Sequence, residues 1–386
     1  MEKIVDFEKC SGCHACFNAC PKNCISMKPN HEGFLYPEVD SEKCVDCGAC
    51  KEVCPVLKEY SGNPKGAAYA CINKDEGTRK NSSSGGIFSL LAEYVLNMGG
   101  VVFGAAFKED LSVCHIEVSK AEELGKLRGS KYLQSSVGET FLSVKTRLKE
   151  GKVVLFCGTP CQISGLFAFL GGTDENLIAV DIICHGVPSP KVWKKYLEFV
   201  EEKNKDCINN KELPSFRDKK YGWRRFSLSV SLEKKGRVVT PLDKDLFMRA
   251  FLKNYCLRPS CYNCSSRAIE RQSDITLADF WGIDRVCPEL FDNRGSSLVM
   301  VNSQRGNEVF ESIKPFMKYK EVDMDAAIKF NPAVHTSAKK PQLRQQFMKF
   351  VDLYPFDRAV RECIPKKRFE KIGGLIKRIV RKVIGK

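Results

Sequence analysis

The chain has 386 residues, 43% of them hydrophobic, which suits two or three domains with real cores. It carries 20 cysteines, yet MEKIVDFEKC has no apolar leader stretch, and no apolar run reaches the roughly 18 residues of a spanning helix, so neither a secreted disulfide scaffold nor a membrane-spanning protein is expected. The expected setting is cytoplasmic, where clustered thiols stay reduced and read as metal ligands or catalytic groups. Net charge is +15, and the stretch Lys366 to Lys386 alone holds nine Lys/Arg and one acid, about half of that excess.

Residues 1–60 form a repeat. DFEKC and DSEKC match at an offset of 34 residues, and CSGCHACFNACP and CVDCGACKEVCP follow them in step. The pattern CxxCxxCxxxCP is the ligand run of bacterial two-cluster ferredoxins. Two-residue gaps let a tight loop aim three sulfurs at one cluster. Gly12, Ala15, Gly48 and Ala49 are small enough for backbone amides to approach its sulfides. In that architecture the fourth cysteine ligates the other cluster. Cys10, Cys13, Cys16 and Cys54 are therefore assigned to one 4Fe-4S centre, and Cys44, Cys47, Cys50 and Cys20 to a second, with Cys24 spare. Zinc knuckles are the alternative, but zinc favours separated ligand pairs over two such runs each ending in proline.

YSGNPKG is a linker. Beyond it, AAYACI reads as a strand, SSSGGIFSLLAEYVLNMGG as a capped helix ending at glycines, VVFGAAF as a strand, VGETFLSVKTRLKEG as an amphipathic helix and KVVLF as a short buried strand. CQISGLFAFLGG is helical, LIAVDIIC a strand, and a helix runs from about Pro190 to Lys203. FSLSVSL and RVVT suggest a hairpin, DKDLFMRAFLKN a helix, and DITLADF and SSLVMVNS strands, with a largely helical chain past Lys314. Such alternation predicts a mixed or parallel sheet with covered faces.

Several cysteines fall at element ends. Cys157 and Cys184 end strands, Cys161 begins a helix, and NYCLRPSCYNC supplies Cys256, Cys261 and Cys264. A helix N-terminus is expected to lower the Cys161 thiol pKa, making it a thiolate nucleophile or ligand, although a buried structural cysteine fits as well. By spacing alone, Cys256, Cys261 and Cys264 also imitate a plant-type 2Fe-2S run.

GFLYPEVDSEKCVDCGACKEVCP, SSSGGIFS, LRGSKYLQS, FCGTPCQISGL, DIICHGVPSP, LRPSCYNC and SDITLADFWG occur in this order. Together they resemble the beta subunit family of coenzyme F420 hydrogenase/dehydrogenase, in the form with a fused two-cluster ferredoxin, over roughly residues 1–305. The resemblance implies a fold in which the α+β ferredoxin domain (1–60) precedes a mixed-sheet α/β flavin and iron–sulfur domain. That domain has a first part at 66–150 and a second, with a third cluster, at 151–310. A helical region, 311–386, ends in a basic amphipathic tail.

The resemblance also implies that Cys161, Cys184, Cys261 and Cys264 hold a third 4Fe-4S cluster, with Cys157 and Cys256 in reserve. It implies FAD, for which Ser84, Gly85, Gly86, Gly129, Ser130, Lys131 and Tyr132 are the expected lining. A Gly-rich loop before a helix can hold phosphate, and a lysine can stabilise a reduced flavin. Taken without the resemblance, both segments read equally as a cap and a solvated turn. Asp274 and Asp279 are ribose or pyrophosphate ligands or strand-end caps. Lys131 and His185 are the catalytic candidates, although His185 reads first as a hydrogen-bonded structural histidine.

In RFEKIGGLIKRIVRKVIGK, Ile372, Leu375, Ile376, Ile379, Val380, Val383 and Ile384 share one helical face opposite Lys377, Arg378, Arg381 and Lys382. This suits a peripheral site on the inner membrane face or docking on protein. No recognition module accompanies the charge, so nucleic acid is not an expected partner. The expected function is an iron–sulfur flavoprotein oxidoreductase fed by a ferredoxin-like donor or redox partner and acting on a small substrate or on the deazaflavin coenzyme. The alternatives are a non-catalytic electron-transfer subunit and an iron–sulfur sensor.

Overall fold

The structure, a computed structural model, describes residues 4–58 and 62–364. The basic amphipathic tail, with its suggested membrane contact, lies outside the described residues. The cysteine repeat extends to the backbone. Gly12 and His14 turn through left-handed φ values of 68°, and their counterparts 34 residues on, Asp46 and Gly48, do so at 51° and 74°. A short helix follows each turn, Ala15–Ala19 and Ala49–Glu52. Strands Ile25–Pro29 and Leu35–Val39 pair antiparallel between the two runs.

Behind this unit stands a nine-stranded mixed sheet. Its order is Met317–Val322, Ala67–Asn73, Ser297–Val301, Ile275–Asp279, Leu177–Ile182, Val154–Gly158, Val101–Phe107, Val113–Val118 and Ser135–Ser136. The four strands Ile275–Asp279, Leu177–Ile182, Val154–Gly158 and Val101–Phe107 are mutually parallel. Alternation along Val101–Phe107 shows why both faces need cover. Val102 and Ala106 enter a core with Ile87, Leu91, Val95 and Phe310, whereas Val101 and Phe103 enter another with Phe141, Ile163 and Leu166. Helices Ile87–Asn97 and Gln304–Ile313 cover the first face, and Thr140–Lys149 and Pro160–Leu170 the second.

A smaller antiparallel sheet, Ser215–Asp218, Ser227–Leu232 and Gly236–Pro241, includes the expected hairpin. It shares an aromatic core with helices Pro190–Asn204, Leu246–Leu252, Arg344–Leu353 and Phe356–Cys363.

The expected largely helical region past 311 includes one strand, because Met317–Val322 pairs antiparallel with Ala67–Asn73 as an edge strand. Only Met317 of this strand is buried, so its alternation is masked by Lys318, Lys320 and Glu321, charges that also keep an open edge from pairing with other chains.

Candidate functional site

Cys10, Cys13, Cys16 and Cys54 line one small cavity in the N-terminal unit. Burial is the main cause that pushes the Cys13 thiol up to about 12, and it raises Cys16 further and Cys54 as well. Two buried donors beside the cavity, His14 Nε2 and Arg258 Nη1, have no partner among the described residues. The N–H of Gly138 donates to His14 Nδ1 at 3.2 Å, which leaves the His14 proton on the orphaned Nε2. Converging thiols with unmet donors around them fit a sulfide-bearing cluster.

Cys50 lies within electrostatic reach of both Cys20 and Cys44, while Cys44 and Cys47 are exposed. Cys24, spare by sequence, lies with its sulfur 3.3 Å from that of Cys20. Exposed Val45 and Leu57 belong to the same unit.

A third group forms at the junction of three segments. Helix Pro160–Leu170 opens with a capping box, in which the Thr159 and Gln162 side chains satisfy each other's backbone N–H groups, and with proline in its first turn. This fixes Cys161 at the mouth of a cavity that Cys184, Cys261 and Cys264 also line. Arg267 and Arg271 line it too, and the Nε of each is buried without a partner. Cys256 does not line this cavity and is fully buried in the aromatic core, whose edge Cys261 shares. The expected lowering of the Cys161 pKa is corrected: burial, and then the neighbouring Cys264 and Cys184 thiols, raise it, outweighing the hydrogen bond from Thr159. Cys184 and Cys261 are pushed up to about 12, chiefly by burial. Among the described residues no three His, Cys, Asp or Glu side chains are placed to hold a single metal ion; the thiols are arrayed around cavities instead.

The first and third groups adjoin. A Cβ at Gly165 would stand 2.8 Å from Cys13 Cβ and 2.9 Å from its sulfur. Only glycine allows the helix that carries Cys161 to approach the first cysteine run so closely. Gly165→Val is therefore expected to displace Cys13 and lower iron content by about 4 atoms per chain, measured on anaerobically purified protein.

Between these groups lies a cavity of about 300 Å³. Its floor is the C-terminal ends of the four parallel strands, at Gly104–Ala105, Cys157–Gly158, Ile182 and Leu277–Asp279, the usual ligand position in an open α/β sheet. Ser11 and Gly12, beside the first cysteine run, line one part, and Cys161 another. Of the expected flavin residues, Ser84, Gly86, Gly129, Ser130, Lys131, Tyr132 and Asp279 line it. The N–H of Ser130 donates to Ser83 Oγ at 2.6 Å, joining the two expected loops.

Gly85 is a correction. It lies outside the lining, its N–H donates to Ser297 Oγ at 2.9 Å, and an added Cβ would meet the Cys71 carbonyl oxygen at 2.5 Å. Its role is close packing on the sheet. His185 does not line the cavity: its Nε2 pairs with Asn254 Oδ1 at 2.7 Å and its ring packs edge-on to Phe251, contacts that fit the structural reading of this histidine. The two aspartates also separate. Asp274 braces Ala179 and Ser303 through hydrogen bonds, whereas Asp279 reaches the cavity while accepting from Arg217 and Trp223.

Lys131 Nζ donates to the Arg128 and Gly129 carbonyls, and burial pulls its pKa down to about 7. His115, which the sequence did not single out, lies deep in the lining, bonded to Ser135 Oγ and the Cys157 carbonyl and stacked on Phe156. Its burial, the main cause, holds it down at about 4. A lone histidine in VCHIEV carries no signal without the fold.

Thiol clusters leading to a sheet-end cavity define an iron–sulfur electron-transfer protein. Residues 9–57 match a 4Fe-4S dicluster domain, and a second family of that description matches 40–99. Residues 151–326 match the family described as the C terminus of the coenzyme F420 hydrogenase/dehydrogenase beta subunit. Residues 151–326 thus belong to this beta subunit family, with a dicluster ferredoxin unit fused on their N-terminal side. No curated protein matches it. Among solved structures it is similar to a chain of the F420-reducing NiFe hydrogenase complex from Methanosarcina barkeri. Identity is 17%, over 78% of this chain and 92% of that one, with a TM-score of 0.46. Among the described residues no helix is long and apolar enough to cross a membrane.

Proposed function

We propose that the chain is an iron–sulfur flavoprotein oxidoreductase that passes electrons between three 4Fe-4S clusters and FAD, and from there to or from a small substrate or coenzyme. The carrying observation is the cavity at the strand ends, which touches Ser11–Gly12 at the first cysteine run and Cys161 at the third. Its volume falls at the lower end of small-ligand sites. FAD would supply the coupling of one-electron carriers to two-electron chemistry.

The residues divide the work. Ser84 and Gly86 at the start of helix Ile87–Asn97, with Gly129 and Ser130, would bind the ligand's polar groups. Lys131 would hold a proton against negative charge on the ligand, and the apolar Leu277 and Ile182 would exclude water from the reacting face. The exposed second cysteine run would meet the redox partner protein. Deazaflavin coenzyme and other small acceptors are the substrate classes to screen. An isolated, flavin-free chain that turns over none of them would favour the electron-transfer subunit.

The same lysine gives a pH dependence. Burial holds Lys131 down at about 7, with the Cys157 thiol and the His115 ring nearby. An anionic ligand favours its protonated form, so binding takes up a proton above that value. FAD affinity is expected to be flat below pH 7 and to fall as pH rises above it, by up to about tenfold per unit. Titration of apoprotein with FAD across roughly pH 6 to 9 checks this, and Lys131→Met should flatten the slope.

A further inference from the structure

Among the described residues the buried arginines are Arg79, Arg217, Arg258, Arg271 and Arg344. Four have a carboxylate: Arg79 has Asp292, Arg217 has Asp279, Arg271 has Asp181 and Arg344 has Glu32. Arg258, only 1% exposed, pairs with none among the described residues. Its Nε donates to the Cys10 carbonyl at 2.8 Å, its Nη2 lies 3.7 Å from the Cys10 sulfur, and its Nη1 has no partner. The ring centroids of Tyr36 and Phe34 lie 4.0 and 5.6 Å from the guanidinium carbon, and Gly12 leaves it room, since a Cβ there would come within 2.9 Å of Nη1. Burying an unpaired guanidinium is strongly unfavourable, and aromatic faces offset only part of it. The missing negative charge has its nearest source in the four-thiol site that begins at Cys10, whose sulfur the guanidinium contacts, with Cys261 of the third group also within electrostatic reach.

We infer that Arg258 is the built-in counter-charge of the first N-terminal cluster and raises that cluster's reduction potential. The inference rests on the cluster assignment proposed above. Uptake of one electron, from the neighbouring cluster or from a chemical reductant, adds one negative charge to the thiolate-ligated site. A fixed cation at Cys10 stabilises the reduced form more than the oxidised one. At the second cysteine run Cys44 and Cys47 are exposed, so solvent screens any charge placed near them. Electrons entering there would therefore move downhill to the cluster that adjoins the cavity. The backbone of Arg258 extends the link, because its carbonyl accepts the N–H of Cys261, a proposed ligand of the third cluster, at 2.9 Å. Arg258 is thus a positioning residue for electron transfer and touches no substrate.

The test is an EPR-monitored redox titration, with dithionite as reductant, of the full chain and of Arg258→Met and Arg258→Lys, each with its iron counted. The first cluster's signal is identified as the one that Cys16→Ala removes. In iron-replete Arg258→Met its reduction equilibrium constant should fall at least about tenfold, a drop of about 59 mV for one electron. The second cluster's potential should stay within titration error of the parent's. Arg258→Lys keeps the charge, and its first-cluster potential should stay close to the parent's. Unchanged potentials in iron-replete Arg258→Met would overturn the inference. So would a drop of about 59 mV in Arg258→Lys, the variant that decides should the methionine chain fail to assemble. Failure of the cluster assignment itself would look different, as a parent chain holding fewer than about 8 iron atoms.

Discussion

Cys261→Ser is expected to lower iron from about 12 to about 8 atoms per chain while leaving the N-terminal pair intact. Cys261 lies in the short 3₁₀ turn Pro259–Asn263 and shares its cavity with Cys161, Cys184 and Cys264. The Val187 N–H donates to its sulfur at 3.4 Å. That contact holds the sulfur from the opposite wall, so a serine oxygen there loses the soft ligand without altering the backbone. Removing only an outer partner of a metal site costs about 10–100-fold, so loss of this ligand should slow flavin reduction by a ferredoxin-type donor at least about 100-fold. Iron and sulfide counts, with stopped-flow flavin reduction, check both effects. Cys256→Ser is the control. Cys256 is buried in the core and does not line the cavity, so iron should be unchanged while stability drops by about 1–3 kcal/mol for a buried hydroxyl.

Arg344→Met is expected to destabilise the fold by about 3–5 kcal/mol, the usual effect of stripping one partner from a buried pair. Arg344 donates from both terminal nitrogens to the two Glu32 oxygens at 2.6 Å, and also to the Leu257 carbonyl and the Tyr262 hydroxyl. Glu32 belongs to the connection between the two strands of the N-terminal unit, and Arg344 begins helix Arg344–Leu353. The pair therefore ties the ferredoxin unit to the aromatic core. Denaturant unfolding should show a lower midpoint. The double change Glu32→Gln with Arg344→Met should recover part of the loss, because no bare carboxylate then stays buried.

Much of this was legible in the sequence because its signals are local. The 34-residue repeat carries its own ligand spacing, and the structure repeats even the left-handed turns at Gly12/Asp46 and His14/Gly48. Strands such as Val154–Gly158 and Leu177–Ile182 are short apolar runs between turn residues, as the pattern predicts. What escaped is tertiary. The strand Met317–Val322 buries one side chain, so periodicity gives it no signal. The Cys161 thiol follows its burial rather than its helix position. Gly85 and His185 sit in motif segments that suggest chemistry, but neighbours distant in sequence, Ser297 and Asn254, take up their polar groups. Conversely His115 and Arg258 acquire meaning only from what the fold places against them.

The most direct test of the central claim is cofactor content. The chain would be purified anaerobically, its iron and acid-labile sulfide quantified, and any flavin released and identified. About 12 iron atoms and one FAD per chain are predicted, from three four-iron clusters and the occupied sheet-end cavity. About 8 iron atoms and no flavin would contradict the account, leaving a two-cluster electron relay whose third cysteine group and cavity serve another purpose.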